Sequence, residues 1–127
     1  MAAAVVRRGG RYLICRRRDV DADQGGAPGL WEFPGGKREE GEALAACLVR
    51  EIREELGCAI EPVELLERVE IATPGRTLVL HLFSCRLVSG EPRPLDGPEL
   101  AWVAPADLLS YEFLPSNEDL VMRLVHT

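Results

Sequence analysis

Long apolar runs and paired cysteines are both missing from this chain of 127 residues. No apolar run approaches the roughly 20 residues of a membrane-spanning helix, and the apolar start from Met1 to Val6 is too short for a signal peptide. The cysteines show no C-x-x-C spacing, so we expect small buried hydrophobes with free thiols. They are Cys15, Cys47, Cys58 and Cys85. The sequence therefore predicts a cytosolic (cytoplasmic) protein with reduced thiols and no membrane partner.

An excess of positive charge is also missing. Lysine and arginine number 15 against 21 aspartate and glutamate residues, which gives a formal net charge of −6. A protein that grips nucleic acid along its backbone normally shows a basic face, so we expect no stable nucleic-acid partner. A nucleotide substrate stays possible, because bound cations can neutralise both an acidic site and the phosphates. Composition does not determine the oligomeric state.

The segment from Arg50 to Cys58, REIREELGC, carries most of the functional information. Its carboxylates on Glu51, Glu54 and Glu55 would project within an arc of roughly 100° on one face of a helix. Such acids repel one another, so their arrangement makes sense if a hard divalent cation lies between the oxygens. Gly57 is the expected left-handed C-terminal cap. An adjoining apolar stripe would dock on a core and consists of Ala45, Leu48, Val49, Ile52 and Leu56.

The remaining signals for strands, turns and helix caps predict a single domain over residues 1–127. Before the acidic helix, Phe33-Pro34-Gly35-Gly36 predicts a strand end and then a turn that needs the backbone freedom of glycine. Ser116 and Asp119 have capping-box spacing at the start of a C-terminal helix. The other predicted elements are strands 2–8, 11–16, 63–72 and 77–88, loops 20–29 and 89–98, a strand ending at Trp102-Val103, a helical turn 105–109 and a helix 116–125. For 63–72 a helix is the alternative, because of the spacing of Glu64, Glu67 and Glu70. Together they predict an α+β fold with a mixed sheet and helices packed on it.

At this point the residues resemble a known family. The fixed positions of the Nudix box are all filled, with Cys58 in the final aliphatic position as a mild departure, by Gly36, Glu42, Arg50, Glu51, Ile52, Glu54, Glu55, Gly57 and Cys58. Three further segments, 30–37, Trp102-Val103 and 114–118, resemble the MutT-type branch. The resemblance implies the Nudix fold, an α/β/α sandwich in which a mixed sheet lies between α-helices.

The same resemblance implies a metal-dependent hydrolase of nucleoside diphosphates linked to another group. Mg²⁺ is the expected cofactor, with Mn²⁺ as a possible substitute. The implied metal ligands are Glu51, Glu54, Glu55 and the carbonyl of Gly35. Arg50 is expected to orient a carboxylate through a fork-like ion pair, and Glu42 to support it or to complement the helix dipole. The general base would come from the loop before Trp102, where Asp96 is the first candidate, also as a metal ligand, and Glu99 is its rival.

Two positions resemble the residues that recognise oxidised guanine in MutT-type enzymes. Asn117 has an amide that can donate and accept at once. Arg17 follows the second strand, although Arg16 or Arg18 can fill the same role. Phe33, with Leu82 or Phe83, would wall the base.

The resemblance implies a pyrophosphohydrolase that releases a nucleoside monophosphate and pyrophosphate, with 8-oxo-dGTP preferred, and so removes a mutagenic precursor before DNA replication. The alternatives are a pyrophosphohydrolase of CTP or a modified dCTP, another Nudix nucleotide hydrolase, and a non-catalytic nucleotide-binding Nudix domain.

Overall fold

A computed structural model of the protein describes residues 1–16, 29–95 and 99–126. Within these ranges lie β1 (Ala2–Arg8), β2 (Arg11–Arg16), β3 (Trp31–Glu32), β4 (Gly35–Gly36), α1 (Leu44–Leu56), β5 (Ala59–Thr73), β6 (Arg76–Ser89), β7 (Glu99–Val103), a 3₁₀ helix (Pro105–Ser110) and α2 (Pro115–Val125). The hairpin of β1 and β2 is as predicted, and both long strands form, although β5 begins at Ala59, four residues before the predicted start at Val63. Residues 20–28 of the predicted loop lie outside the described residues. Neither described helix is long and apolar enough to cross a bilayer.

Strand β1 is central in a mixed sheet because both of its edges are paired. One edge runs parallel to β6, from Ala2 opposite His81 to Val6 opposite Cys85. The other edge pairs antiparallel with β4 and then with β2. Strand β5 extends the sheet beyond β6, and β3 and β7 pair with β2. The sheet thus combines parallel and antiparallel pairs, as predicted.

The side chains on the two faces of β1 pack into two separate cores, since side chains alternate along a strand. Ala2, Ala4 and Val6 pack with buried residues of α1, whereas Ala3 and Val5 pack with buried residues of α2. The sheet therefore lies between the two helices, and the predicted sandwich is confirmed. All four cysteines are free and buried, as expected.

Two local predictions about the helices are wrong. In α1 the buried arc runs from Cys47 through Leu48 to Leu56, which leaves Ala45 on its exposed side. Helix α2 begins at Pro115, whose fixed φ suits a first helical turn, and its N-terminal cap makes no side-chain hydrogen bond. Ser116 and Asp119 therefore form no capping box.

Candidate active site

The three candidate metal-binding glutamates, Glu51, Glu54 and Glu55, all lie on helix α1. The helix ends as predicted, because Gly57 adopts a left-handed conformation (φ 66°) and its N–H donates to the carbonyl of Arg53. The side chain of Glu51 is only 15% exposed, whereas that of Glu54 is 57% exposed. The acidic face therefore runs from an exposed carboxylate, that of Glu54, to a largely buried one, that of Glu51.

Arg50 organises this face through five hydrogen bonds. Its Nε and Nη2 donate to the two carboxylate oxygens of Glu42 at 2.7 and 2.9 Å, a fork-to-fork pair. Its Nη1 donates to Glu51 Oε1 at 2.9 Å and to Glu54 Oε2 at 3.3 Å. Nη2 also donates to the carbonyl of Lys37 at 3.2 Å. One guanidinium thus fixes two candidate ligands and ties α1 to the preceding loop.

Glu42 is the anchor of that guanidinium. Its hydrogen bonds from Arg50, and next the backbone N–H of Glu39, lower the pKa of Glu42 from 4.5 to about 2. Glu42 therefore stays ionised at neutral pH. The hydrogen bonds that Arg50 donates to Glu42 and to Glu51 raise the pKa of Arg50. The expectation that Arg50 makes a fork-like ion pair agrees with this geometry, and its partner in the fork is Glu42.

Strand β4 lies so close to β1 and α1 that only glycine fits. A Cβ at Gly35 would overlap the carbonyl of Ala2, and a Cβ at Gly36 would overlap the carboxylate of Glu51. Neither glycine has a positive φ. The turn predicted here is therefore wrong: the pair forms a short strand, and glycine is needed for close approach rather than for backbone freedom.

The donor set of α1 suits a hard divalent cation, because it consists of carboxylate oxygens. Arg50 engages one oxygen each of Glu51 and Glu54, so the second oxygen of each remains outside its fork. Among the described residues no three acidic, histidine or cysteine side chains are already gathered as a metal site.

Of the two candidate distal acids, the structure describes Glu99. Asp96, the first candidate for the general base, and Arg17 both lie outside the described residues. Glu99, the rival, pairs with Arg16 across β7 and β2. The backbone just before Asp96 docks on α1, because the N–H of Leu95 donates to the carbonyl of Glu55 at 3.0 Å.

A narrow cleft contains Asn117 and also Gly36, the glycine that lies against Glu51. It is lined by Met1, Ala2, Ala3, Glu32, Phe33, Gly35, Gly36, Leu80 and Asn117, and its volume of about 10 Å³ admits roughly one water molecule. Asn117 is 2% exposed, its Oδ1 accepts the N–H of Phe33 at 3.1 Å, and its Nδ2 donates to Ser116 Oγ at 3.0 Å. Because a backbone N–H can only donate, the amide orientation is fixed.

The walls of the cleft differ in part from the sequence-based expectation. Phe33 lines it as expected and packs against Phe113, with ring centroids 6.0 Å apart. On β6 the lining residue is Leu80, and neither Leu82 nor Phe83 is among the residues that line this cleft: Leu82 packs in the α2 core and Phe83 in the α1 core.

The sequence interpretation missed Glu32, one of two buried polar side chains among the described residues. The sequence feature that could have revealed it is an acidic residue flanked by two aromatic residues, Trp31 and Phe33. Both buried polar side chains, the carboxyl of Glu32 and the amide of Asn117, line this cleft.

Comparison with known proteins gives one family. A model of the NUDIX domain matches residues 1–124. The chain is 33% identical over 121 residues to the CTP pyrophosphohydrolase of Escherichia coli, covering 95% of this chain and 87% of that protein. It is 31% identical over 124 residues to the 8-oxo-dGTP diphosphatase of Escherichia coli, covering 98% and 94%. The crystal structure of a MutT NUDIX hydrolase from Burkholderia pseudomallei matches with a TM-score of 0.80 and 30% identity, covering 98% of this chain and 95% of that one.

Proposed function

We propose that this chain, which belongs to the Nudix hydrolase family, hydrolyses nucleoside triphosphates to monophosphate and pyrophosphate and prefers 8-oxo-dGTP. Membership of the family makes the protein an enzyme that acts on phosphoanhydride bonds and needs a divalent metal cation. The identity of the cation, the residues that bind it and the preferred nucleotide are proposed from the site.

One observation carries the proposal. The cleft that holds the amide of Asn117 is also lined by Gly35 and Gly36, and Gly36 lies directly against the carboxylate of Glu51. A nucleotide whose base reaches Asn117 would therefore extend its phosphates toward the acidic face of α1. The cleft is narrow, so binding requires its walls to separate.

Mg²⁺ is the proposed cation, held by Glu51, Glu54, Glu55 and the carbonyl of Gly35. When bound, it would neutralise charge on the polyphosphate and lower the pKa of the attacking water. Arg50 would keep two of these carboxylates oriented, and Glu42 would hold Arg50. Asp96 is the proposed general base, with Glu99 as the alternative.

Base selection would depend on the fixed amide of Asn117. Phe33 uses one lone pair of Oδ1 and Ser116 uses one hydrogen of Nδ2, so one acceptor position and one donor hydrogen are left for a ligand. The 8-oxoguanine base presents O6 beside a protonated N7 and matches this pair. Unmodified guanine has an acceptor at N7 and would face the Oδ1 lone pair. Arg17 is a further candidate for contact with the base.

A second candidate substrate is CTP or a modified dCTP. Cytosine also places a donor beside an acceptor, at N4 and N3, so Asn117 alone does not separate the two bases. The relative that acts on CTP covers nearly the whole chain and supports this alternative.

The deciding experiment measures pyrophosphate release with Mg²⁺ from 8-oxo-dGTP, dGTP, the other dNTPs, CTP and 5-methyl-dCTP. Glu54→Gln should reduce turnover by about a hundredfold or more, since it removes a charge-stabilising ligand. Glu64→Gln, an exposed acid on β5, is the matched control and should leave turnover unchanged. Preference for CTP would replace the proposed substrate, and binding without release of product would indicate a non-catalytic nucleotide-binding domain.

A further inference from the structure

The start of helix α2 is braced against β3, so the backbone of Asn117 has a fixed place beside the cleft. The N–H of Trp31 donates to the carbonyl of Glu112 at 2.8 Å, and the N–H of Leu114 donates to the carbonyl of Trp31 at 2.9 Å. The N–H of Asn117 in turn donates to the carbonyl of Leu114 at 2.9 Å. These backbone bonds leave the orientation of the Asn117 side chain undetermined.

That orientation depends on the terminal torsion of the side chain. The last rotatable bond of an asparagine joins an sp³ carbon to an sp² carbon, and its torsion is broad rather than confined to staggered wells. The N–H of Phe33 holds one end of the amide, Oδ1, at 3.1 Å and decides which end is the oxygen. A single hydrogen bond still lets the amide plane tilt about that contact, so a second contact is needed to fix the plane.

Ser116 supplies the second contact. Its Oγ accepts a hydrogen bond from Nδ2 of Asn117 at 3.0 Å, whereas Phe33 holds the other end of the amide. A serine at the start of a helix often caps a backbone N–H. Here the cap residue is Leu114, which makes no side-chain hydrogen bond, and Pro115 begins the helix. The described hydrogen bond of the Ser116 hydroxyl therefore goes to the amide of Asn117.

We propose that Ser116 is a positioning residue for base selection, which fixes the amide plane of Asn117 so that Nδ2 and Oδ1 face O6 and N7 of 8-oxoguanine together. Two parallel hydrogen bonds to one base edge form well only when the amide and the base are nearly coplanar. The inference rests on the proposed function in one respect, namely that Asn117 contacts the base. Ser116 itself touches Asn117 and is not among the residues that line the cleft.

The test compares Ser116→Ala with Ser84→Ala. Ser84, on β6, also loses one hydroxyl hydrogen bond on truncation, because its Oγ donates to the carbonyl of Glu64 at 3.4 Å, and it does not line the cleft. Ser116→Ala should raise KM for 8-oxo-dGTP about fivefold with kcat little changed, because a base contact acts on bound substrate and transition state alike. KM for dGTP should rise less, since its N7 carries no hydrogen for Oδ1. Ser84→Ala should change neither.

A conservative variant separates this role from a structural one. Ser116→Thr keeps the hydroxyl, so KM for 8-oxo-dGTP should stay near the wild-type value. If Ser116→Ala only loosened α2, KM for 8-oxo-dGTP and KM for dGTP would rise together, and Tm would fall further than in Ser84→Ala. That result would overturn the role in base selection.

A second readout needs no turnover. Asn117 is the only asparagine of the sequence and Gln24 the only glutamine, so their side-chain NH₂ groups are easily told apart by NMR, and Asn117→Ala removes one of the two. The NH₂ hydrogens of Asn117 should exchange with solvent faster in Ser116→Ala than in the wild type, Ser116→Thr or Ser84→Ala. Titration with 8-oxo-dGMP, the expected product, should shift these signals in the wild type and require about fivefold more ligand in Ser116→Ala.

The outcomes separate the two proposals. A wild type that hydrolyses none of the nucleotides contradicts the proposed function, while the exchange and titration data still decide whether Ser116 fixes the amide. Preference for CTP would replace the proposed substrate, and the rise in KM should then appear for CTP. An unchanged KM for the preferred nucleotide in Ser116→Ala, or exchange of the Asn117 hydrogens no faster than in the wild type, would overturn the positioning role.

Discussion

Replacement of Asn117 by alanine gives the most direct test of how the cleft selects a base. The change removes Oδ1, which accepts the N–H of Phe33, and Nδ2, which donates to Ser116. Phe33 is 1% exposed, so its N–H would be left buried without an acceptor, at a cost of about 1–3 kcal/mol. For a domain of this size each kcal/mol lowers Tm by about 4 °C, which gives a fall of roughly 4–12 °C.

The effect on catalysis should be specific to the base. Loss of two hydrogen bonds to 8-oxoguanine, at about 1 kcal/mol each, lowers kcat/KM for 8-oxo-dGTP by roughly 30-fold. Turnover of dGTP should fall less, because its N7 lacks the hydrogen that Oδ1 would accept. The ratio of the two kcat/KM values is therefore the quantity to measure.

Val121→Ala is the matched control for this experiment. Val121 is buried on the same helix and does not line the cleft. Its truncation should destabilise the protein without altering the ratio of 8-oxo-dGTP to dGTP turnover. An unchanged ratio in Asn117→Ala, at a temperature where the variant is folded, would refute the recognition role.

Three further variants test the acidic face. Gly36→Ala places a Cβ against the carboxylate of Glu51 and should reduce turnover by about a hundredfold, with Tm measured beside it to exclude unfolding. Arg50→Lys keeps the charge but not the fork, so a Mg²⁺ titration of turnover should shift roughly tenfold or more toward higher concentration. Because the pKa of Glu42 is lowered from 4.5 to about 2, its contribution to stability is complete above about pH 4.5 and is lost as the pH falls toward 2. Glu42→Gln should therefore flatten the dependence of stability on pH in that window, and a profile as steep as that of the wild type would contradict the assignment.

Several features could be predicted because they depend on neighbouring residues in the chain. The acidic face of α1 follows from helical periodicity, and its end follows from Gly57, the residue that adopts a left-handed conformation at least cost. The hairpin of β1 and β2 follows from Gly9-Gly10, both of which have positive φ. Family resemblance then supplied the sandwich, which periodicity alone did not.

The errors have a common physical origin. The glycines of β4 were interpreted as a turn because a sequence shows a missing side chain but not the atoms that would meet it. Leu82 and Phe83 were interpreted as cleft walls, but only Leu80 of β6 lines the cleft: Leu82 shares the face of Leu80 further along the strand, and Phe83 lies on the opposite face. Asp119 matched a capping pattern, but Pro115 already begins the helix.

The sequence by itself determined the acidic helix, its cap, the strands beside it and the residue types from which a metal site can be made. Only the tertiary structure brought Asn117 to Phe33, 84 residues away in the chain, and Arg8 to Glu91, 83 residues away. Helix periodicity and capping act over a few residues and leave a local pattern. The cleft and the Arg8 contacts depend instead on which strands pair and which faces of the sheet the helices cover, and those choices are made by packing of the whole chain.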